Sequence, residues 1–454
     1  MKLPEFWRTG VAVLVLGGLG AYIYFVESKK ETTGDEKPKE KVFALDKAKV
    51  KEVTIDNTGG ESVRIVKDGT GWKIAAPFAS SADSPAVDSL VGTLESMQID
   101  DVAMEDAKAL AEYGLDKPRI SVAVTQEGAQ APLKLQLGAK LADGSGVYAK
   151  TPDKPRVFTI ASFVESSLDK KAFDLRDRDV LHLKRDDVKT LAVAGGGVDY
   201  ALARDDKGEW AFTKPLATRA GRWSVDGLLG SIEGLRMDSV AAEDAKDFKP
   251  YGLDKPARVV TLGLASGGSK VLEIGSAAPG DKKLYARPSG SSLVAVVPGA
   301  VDEQLGKGQK DLRANRLLEV ATYEVEGFDV QDGATKKAYA KSTTKDKDGI
   351  EKAQWKKTAP EAKDLETTKV EDALFKLGGV EVQEFVDQPK DASAYGLDAP
   401  LLKVAIKMGA SKGEASVEIG KKDGSVYARR AGDAAVLKLD TAKADELVKA
   451  FQEL

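Results

Sequence analysis

Short segments of the chain alternate apolar and polar residues, as half-buried β-strands do. In the first third of the chain, residues 63–66 and 72–74 flank a turn at Asp68-Gly69, and this arrangement predicts a β-hairpin. Further strands of the same kind are predicted at residues 120–124, 133–137, 147–149 and 157–160.

One segment between these strands has helical periodicity instead. Ser84 is a favourable N-cap residue, and Pro85 is favourable in a first helical turn. The apolar stripe of the predicted helix consists of Val87, Leu90, Val91, Leu94 and Met97. Runs of strands with a helix between them predict an α+β domain with a mostly antiparallel sheet.

This order of elements occurs three times, and each copy carries a Tyr-Gly-Leu-Asp-x-Pro motif. The motif residues are Tyr113, Gly114, Leu115, Asp116, Pro118, Tyr251, Gly252, Leu253, Asp254, Pro256, Tyr395, Gly396, Leu397, Asp398 and Pro400. Four landmarks keep nearly the same distance from the motif in every copy, namely Trp72, Trp210 and Trp355, then Gly138, Gly275 and Gly420, then Tyr148, Tyr285 and Tyr427, and finally Leu168, Leu305 and Leu447. The repeat predicts three tandem domains, at residues 43–180, 181–318 and 319–454.

The requirements of folding explain the motif. In the first copy, Gly114 follows a short predicted helix, at the place where a left-handed C-cap favours glycine. Leu115 is expected to pack back onto that helix, and Asp116 to accept hydrogen bonds from backbone donors in the turn. Pro118 stops the helix and begins the next strand. The alternative is a ligand site built from the tyrosine and the aspartate of every copy.

The N-terminal segment is apolar and uncharged from residue 10 to residue 26, a length at the short end of what a transmembrane helix needs. We therefore expect residues 1–26 to form a cytoplasmic tip and a transmembrane anchor, and the charged residues 27–42 to form a flexible tether. A cleaved signal peptide is the alternative. The lysines after the span favour a cytoplasmic C-terminus. The layout of a very short basic head, an apolar segment and a long remainder favours export, so the expected location is the bacterial inner membrane, single-pass, with the bulk of the chain periplasmic.

The amino-acid composition excludes several kinds of binding and catalytic site. The 454 residues include 68 Lys plus Arg and 72 Asp plus Glu, and this near balance argues against a nucleic-acid partner. The chain has no cysteine and a single histidine, His182, which excludes disulfides and thiolate or histidine-cluster metal sites and makes a Ser-His-Asp triad hard to build. We therefore predict no catalytic residue, no cofactor and no metal, and a protein that is not an enzyme.

Residues that the copies do not share are the better candidates for function. Trp223 occurs only in the second copy, beside Arg222, and is the candidate contact residue. The three landmark tryptophans are expected in the cores, with an aromatic platform for a glycan or peptide as the alternative. Asp-Leu-Arg sequences ending at Arg176 and Arg313 close the first two copies and are absent from the third, which predicts that they are joints between domains.

The motif, the upstream tryptophan, the downstream Ile-Gly and Val-Tyr-Ala sequences and the apolar N-terminus together resemble the bacterial domain of unknown function 4340 family. The resemblance covers residues from about 43 to 454 and the N-terminal segment. It implies a membrane-anchored or exported envelope protein, often encoded beside ABC-transporter components of the gliding-motility type. The family has no established catalytic residues, so the resemblance implies none here.

Three functional hypotheses follow. The first is a non-enzymatic, membrane-anchored envelope protein that serves as an interaction or accessory component of an ABC transporter. Its partners would be the cytoplasmic membrane, through the N-terminal helix, and a protein such as a transporter component. The second is a module that binds cell-wall glycan or peptide through exposed aromatic side chains. The third is a hydrolase that uses carboxylates.

Overall fold

Alternating buried and exposed side chains along many of the strands build three sheets of the same design. The computed structural model describes residues 39–345, 351–409 and 414–454. Two compact units divide the chain between Asp177 and Arg178. The first unit holds one sheet, and the second unit holds two.

The first sheet has nine strands, and every pair of neighbours is antiparallel. The strands are β1 (Val50–Asp56), β2 (Ser62–Asp68), β3 (Gly71–Ala76), β4 (Ser80–Ser81), β5 (Asp101–Met104), β6 (Ile120–Gln126), β7 (Leu133–Lys140), β8 (Gly146–Lys150) and β9 (Val157–Ala161). Their order across the sheet is β4-β3-β2-β1-β6-β7-β8-β9-β5. Two helices accompany the sheet, α1 (Ser84–Ser96) and α2 (Ser162–Leu168).

The second sheet repeats this order. Its strands are β10 (Val188–Gly195), β11 (Val198–Arg204), β12 (Trp210–Lys214), β13 (Thr218–Arg219), β14 (Ser239–Ala242), β15 (Arg258–Leu264), β16 (Ser269–Ala278), β17 (Lys283–Pro288) and β18 (Val294–Pro298). The helices are α3 (Arg222–Glu233), α4 (Ala300–Leu305) and α5 (Gln309–Leu312).

The third sheet has the same order again, with a longer hairpin between its second and third strands. Its strands are β19 (Val325–Asp332), β20 (Thr335–Lys345), β21 (Glu351–Ala359), β22 (Lys363–Leu365), β23 (Val382–Val386), β24 (Leu402–Met408), β25 (Glu414–Lys422), β26 (Ser425–Arg430) and β27 (Val436–Leu439). The helices are α6 (Thr367–Gly379) and α7 (Thr441–Gln452).

Each core lies between one face of a sheet and its helices. On β1, Val53 and Ile55 are fully buried, while Glu52 points to the opposite face and pairs with Arg64 at 2.7 Å. The apolar stripe predicted for α1 is confirmed, because all five of its residues are buried in the same core. The N-cap of α1 is Asp83 rather than Ser84, and its carboxylate accepts a hydrogen bond from the backbone N–H of Ala86.

The predicted α+β class is corrected to a mostly β fold. Each sheet has nine strands, where the alternating pattern predicts six per copy. β1 was not predicted, because a register shift between Val50 and Glu52 interrupts the alternation of its apolar and polar residues. β4 and β5 are too short to show a period.

The predicted transmembrane helix, and the expectations that depend on it, are also corrected. Within the residues that the structure describes, no helix is long and apolar enough to cross a membrane. The segment predicted to form the anchor, residues 1–26, lies outside the described residues. Attachment to the cytoplasmic membrane and the single-pass inner-membrane location therefore lack structural support, and the function proposed below does not depend on them.

Candidate functional site: an aromatic groove in the second unit

The Tyr-Gly-Leu-Asp-x-Pro motif forms the same turn in all three modules. Gly114, Gly252 and Gly396 adopt φ values of +64°, +63° and +66° as left-handed C-caps. The leucine that follows each glycine is buried. The helix before the glycine is a single 3-10 turn, and in the second module it has three residues rather than four, Lys249–Tyr251, with Pro250 inside it.

Two landmarks of the repeat pack directly against this turn. A Cβ added at Gly138 would collide with the carbonyl oxygen of Tyr113, and the same holds for Gly275 and Tyr251. The motif tyrosine also contacts the landmark tyrosine edge to face, with ring centroids 5.1 Å apart for Tyr113 and Tyr148. The other two modules repeat this contact at 5.0 and 5.2 Å. The motif therefore joins a turn to a strand inside each module.

The motif aspartates do not behave as expected. Asp116, Asp254 and Asp398 are exposed, and within the described residues their side chains make no hydrogen bond to the turn. The prediction that they bind backbone donors is wrong, because the C-cap bonds come from backbone groups alone. In the first module Gly114 donates to Ala111 and Leu115 donates to Leu110.

The three landmark tryptophans lie in the cores, at 4%, 3% and 1% exposure for Trp72, Trp210 and Trp355. The indole nitrogen of Trp72 donates to Asp88 at 2.8 Å. These residues cannot offer an aromatic platform to a ligand.

Trp223 differs from them, because 66% of its surface is exposed. It is the second residue of α3 and lines a groove of about 430 Å³. Two other highly exposed aromatic residues line the same groove: Tyr323, 78% exposed, and Phe375, 73% exposed. We call the concavity lined by Trp223, Tyr323 and Phe375 the aromatic groove.

Three structural elements contribute the aromatic residues of the groove. Trp223 lies at the start of α3 in the second module. Tyr323 lies in a 3-10 turn, Thr322–Glu324, immediately before β19. Phe375 lies on α6 of the third module, on the side opposite its buried stripe. The groove is thus formed where the second and third modules meet, inside one compact unit.

The fold does not require aromatic side chains at these positions. Counted from the first buried valine of each helix, Trp223 corresponds to Pro85 and Thr368. Phe375 corresponds to Gly92 and Gly230 by the same count. Counted from the valine that begins the first strand of each sheet, Tyr323 corresponds to Ala48 and Asp186. Modules of the same architecture therefore form with small or polar residues in all three places.

The charges around the groove are unevenly paired. Arg222 and Arg316 line it, and no acidic side chain among the described residues forms an ion pair with either of them. Glu319 accepts a hydrogen bond from the backbone N–H of Arg222 at 2.7 Å, and burial raises the pKa of its carboxyl group. Glu324 has an interaction partner of its own.

A buried joint fixes the two modules on either side of the groove. The Nη1 atom of Arg430 donates to the carbonyl oxygens of Ala314 and Arg316 at 2.9 and 3.0 Å. Its Nη2 atom donates to Asp433 at 2.6 Å. Arg313, which ends the second Asp-Leu-Arg sequence, reaches Asp387 of the third module at 2.7 Å. This sequence lies at a joint between modules, as its position in the repeat predicts.

Sequence reasoning found Trp223 and missed Tyr323 and Phe375. No local motif marks the two missed residues, and the three are far apart along the chain. Comparison of equivalent positions across the three copies would have found all of them, since each is an aromatic residue where the other copies have none.

The model of a family described as "Domain of unknown function (DUF4340)" matches residues 72–220, 210–400 and 387–454. The first two matches begin at the landmark tryptophans, on β3 and β12, and each runs into the next sheet. No curated protein matches the chain. Among solved structures, the DNA polymerase III subunit beta from Pseudomonas aeruginosa is similar at 8% identity, over 88% of this chain and 94% of that one, with a TM-score of 0.15. A score that low carries no argument about fold or function.

Proposed function

The chain belongs to the DUF4340 family, and from that premise we propose that it is a non-enzymatic interaction protein that holds a protein partner in the aromatic groove. The observation that carries this proposal is the convergence of three exposed aromatic residues, none of them required by the repeat, on one concave surface. Aromatic side chains and arginine are the residues that most often dominate binding energy at protein interfaces.

The composition of the groove supports binding rather than catalysis. Its lining combines aromatic rings with arginine side chains, and the half-buried carboxyl group of Glu319 is engaged by the first backbone N–H of α3. The buried contacts of Arg430 join the two modules that form the groove, and walls joined before binding lose little ordering entropy when a partner docks.

Capture of partners from the native cell tests the proposal. The full chain carrying Trp223→Ala and Phe375→Ala should lose its specific partner, since truncation of an interface aromatic costs about 2 kcal/mol, or roughly 30-fold in affinity. Phe163→Ala is the matched control, because Phe163 is a 68% exposed aromatic residue on α2 of the first unit, outside the groove. Quantitative mass spectrometry of the captured proteins gives the measurement.

The outcomes separate the hypotheses. A partner lost with the groove variant and kept with Phe163→Ala supports the proposal, and its identity tests the transporter-accessory role that the family resemblance implies. An unchanged partner set contradicts the proposal. Retention of the wild-type chain on purified cell-wall glycan, lost with the groove variant, would replace a protein partner with a glycan.

A further inference from the structure

We propose that the segment of the partner that enters the aromatic groove is an acidic peptide, with carboxylates that pair with Arg222 and Arg316. This inference rests on the proposed function and specifies the chemistry of the partner. It follows from the charges at the groove rather than from its aromatic surface.

Both arginines are available to a partner. Neither guanidinium is in an ion pair with an acidic side chain of the described residues, although many other surface cations of this unit are paired, such as Arg236 with Asp179 and Lys376 with Asp372. Arg222 lies over the ring of Trp223 at 5.5 Å, so its charge is adjacent to the aromatic surface. Arg316 is exposed; its carbonyl oxygen accepts from Arg430, and its backbone forms an antiparallel bridge with Glu381.

The acidic residues of the lining do not neutralise these charges. The carboxyl group of Glu319 accepts from a backbone N–H, and within the described residues no ion pair joins Glu319 or Glu324 to either arginine. A partner that covers the three rings also displaces water from the neighbouring guanidinium groups. Leaving a cation desolvated and unpaired is costly, whereas a carboxylate from the partner forms charge-assisted and often bidentate hydrogen bonds with it. Complementarity of charge and of apolar surface therefore favours a partner segment with both acidic and apolar side chains.

The size of the groove favours a short segment. A volume of about 430 Å³ accommodates a few side chains, in the range of pockets that take small ligands. An apolar side chain between the rings with acidic residues on either side satisfies the aromatic and the cationic parts of the surface together.

A display library of random twelve-residue peptides, selected on the immobilised full chain, tests the inference. Groove-dependent clones are those that lose binding to Phe375→Ala and keep binding to Phe163→Ala. We expect these clones to be enriched in Asp and Glu and to contain apolar residues. In fluorescence anisotropy with one such labelled peptide, the Arg222→Gln/Arg316→Gln variant should bind at least 10-fold more weakly. Replacing the peptide's acidic residues with their amides should cause a similar loss on the wild-type chain and little further loss on the variant.

Groove-dependent clones without acidic enrichment, or an unchanged affinity of the arginine variant, overturn the acidic specificity and leave the docking function standing. A library that yields no groove-dependent clone overturns the peptide inference, and the capture experiment then decides on the docking function separately. Self-association of the wild-type chain in sedimentation, abolished by Phe375→Ala, would identify a second copy as the occupant and overturn the inference as well.

Discussion

At the scale of single residues, the repeat separates side chains that serve folding from those that do not. Gly138 and Tyr113 recur in every module because a turn and a strand touch there. Trp223 and Phe375 do not recur, and they are exposed. A residue shared by three copies of one fold is thus explained by packing, and an unshared, exposed aromatic residue needs another explanation.

Gly138→Ala should destabilise the first module by about 3 kcal/mol, because the added methyl group would collide with the backbone of the motif turn. Gly92→Ala is the matched control in the same module, since its added Cβ would meet no atom within 4 Å. On α1 the control should raise stability by roughly 0.5–1 kcal/mol, the usual difference between glycine and alanine inside a helix. Urea unfolding of both variants measures the two effects, and equal effects would contradict the packing explanation.

Glu319→Gln should change how stability depends on pH. Burial, and to a smaller extent Glu209, raise the pKa of Glu319, while its hydrogen bond with Arg222 and the charges of Arg430 and Arg219 act in the opposite direction. A carboxyl group with a raised pKa in the folded state loses stabilisation as pH rises from its ordinary value of 4.5 through the folded value. A glutamine keeps an oxygen that accepts from Arg222 and has no charge to bury.

Thermal unfolding across pH 4 to 8 measures this effect. The variant should match the wild type at the acidic end and become more stable than it as pH rises. Glu453→Gln is the control. Glu453 is exposed at the C-terminal end of α7, so this substitution removes a carboxylate charge that is not buried. A wild type that equals or exceeds the Glu319→Gln variant near pH 8 would contradict the predicted sign of the effect.

At the scale of elements, the local pattern of apolar and polar residues predicts those helices and strands in which the pattern repeats without interruption. The stripe of α1 and the β2–β3 hairpin follow directly from it. A short helix is predicted over residues 105–113, but only Leu110–Tyr113 forms a 3-10 turn. The groove could not be predicted from local sequence patterns, because its three aromatic residues come from separate elements that tertiary contacts bring together.

At the joint between the second and third modules, the buried Arg430 pairs with Asp433 of its own module and donates to the carbonyl oxygens of Ala314 and Arg316. Arg430→Met should destabilise the second unit by about 3–5 kcal/mol, because Asp433 would remain buried without its cation and two carbonyl groups would lose a donor. The neighbouring residue supplies the control: Arg429 forms an exposed pair with Glu418, so Arg429→Met should cost no more than about 1 kcal/mol. Urea unfolding of the two variants measures the difference, and similar losses would show that the joint does not depend on this pair.

At the scale of the whole molecule, one module is used three times, and three exposed aromatic residues that the copies do not share lie together at one place in the described structure. The shared residues give each copy its sheet and its motif turn. Trp223, Tyr323 and Phe375 lie where the second and third modules meet, together with the two arginines that have no ion-pair partner among the described residues. Repetition supplies the scaffold, and departures from the repeat supply the surface that we assign to binding.

Photocrosslinking in the native cell tests this central claim most directly. Phe375 and Phe163 are each replaced, in separate full-length chains, by the photoreactive amino acid benzoyl-phenylalanine, and crosslinked proteins are identified by mass spectrometry. The proposed function predicts one dominant adduct from position 375 that is lost when Trp223→Ala is added, and no such adduct from position 163. Identical adducts from both positions, or none from position 375, would contradict it.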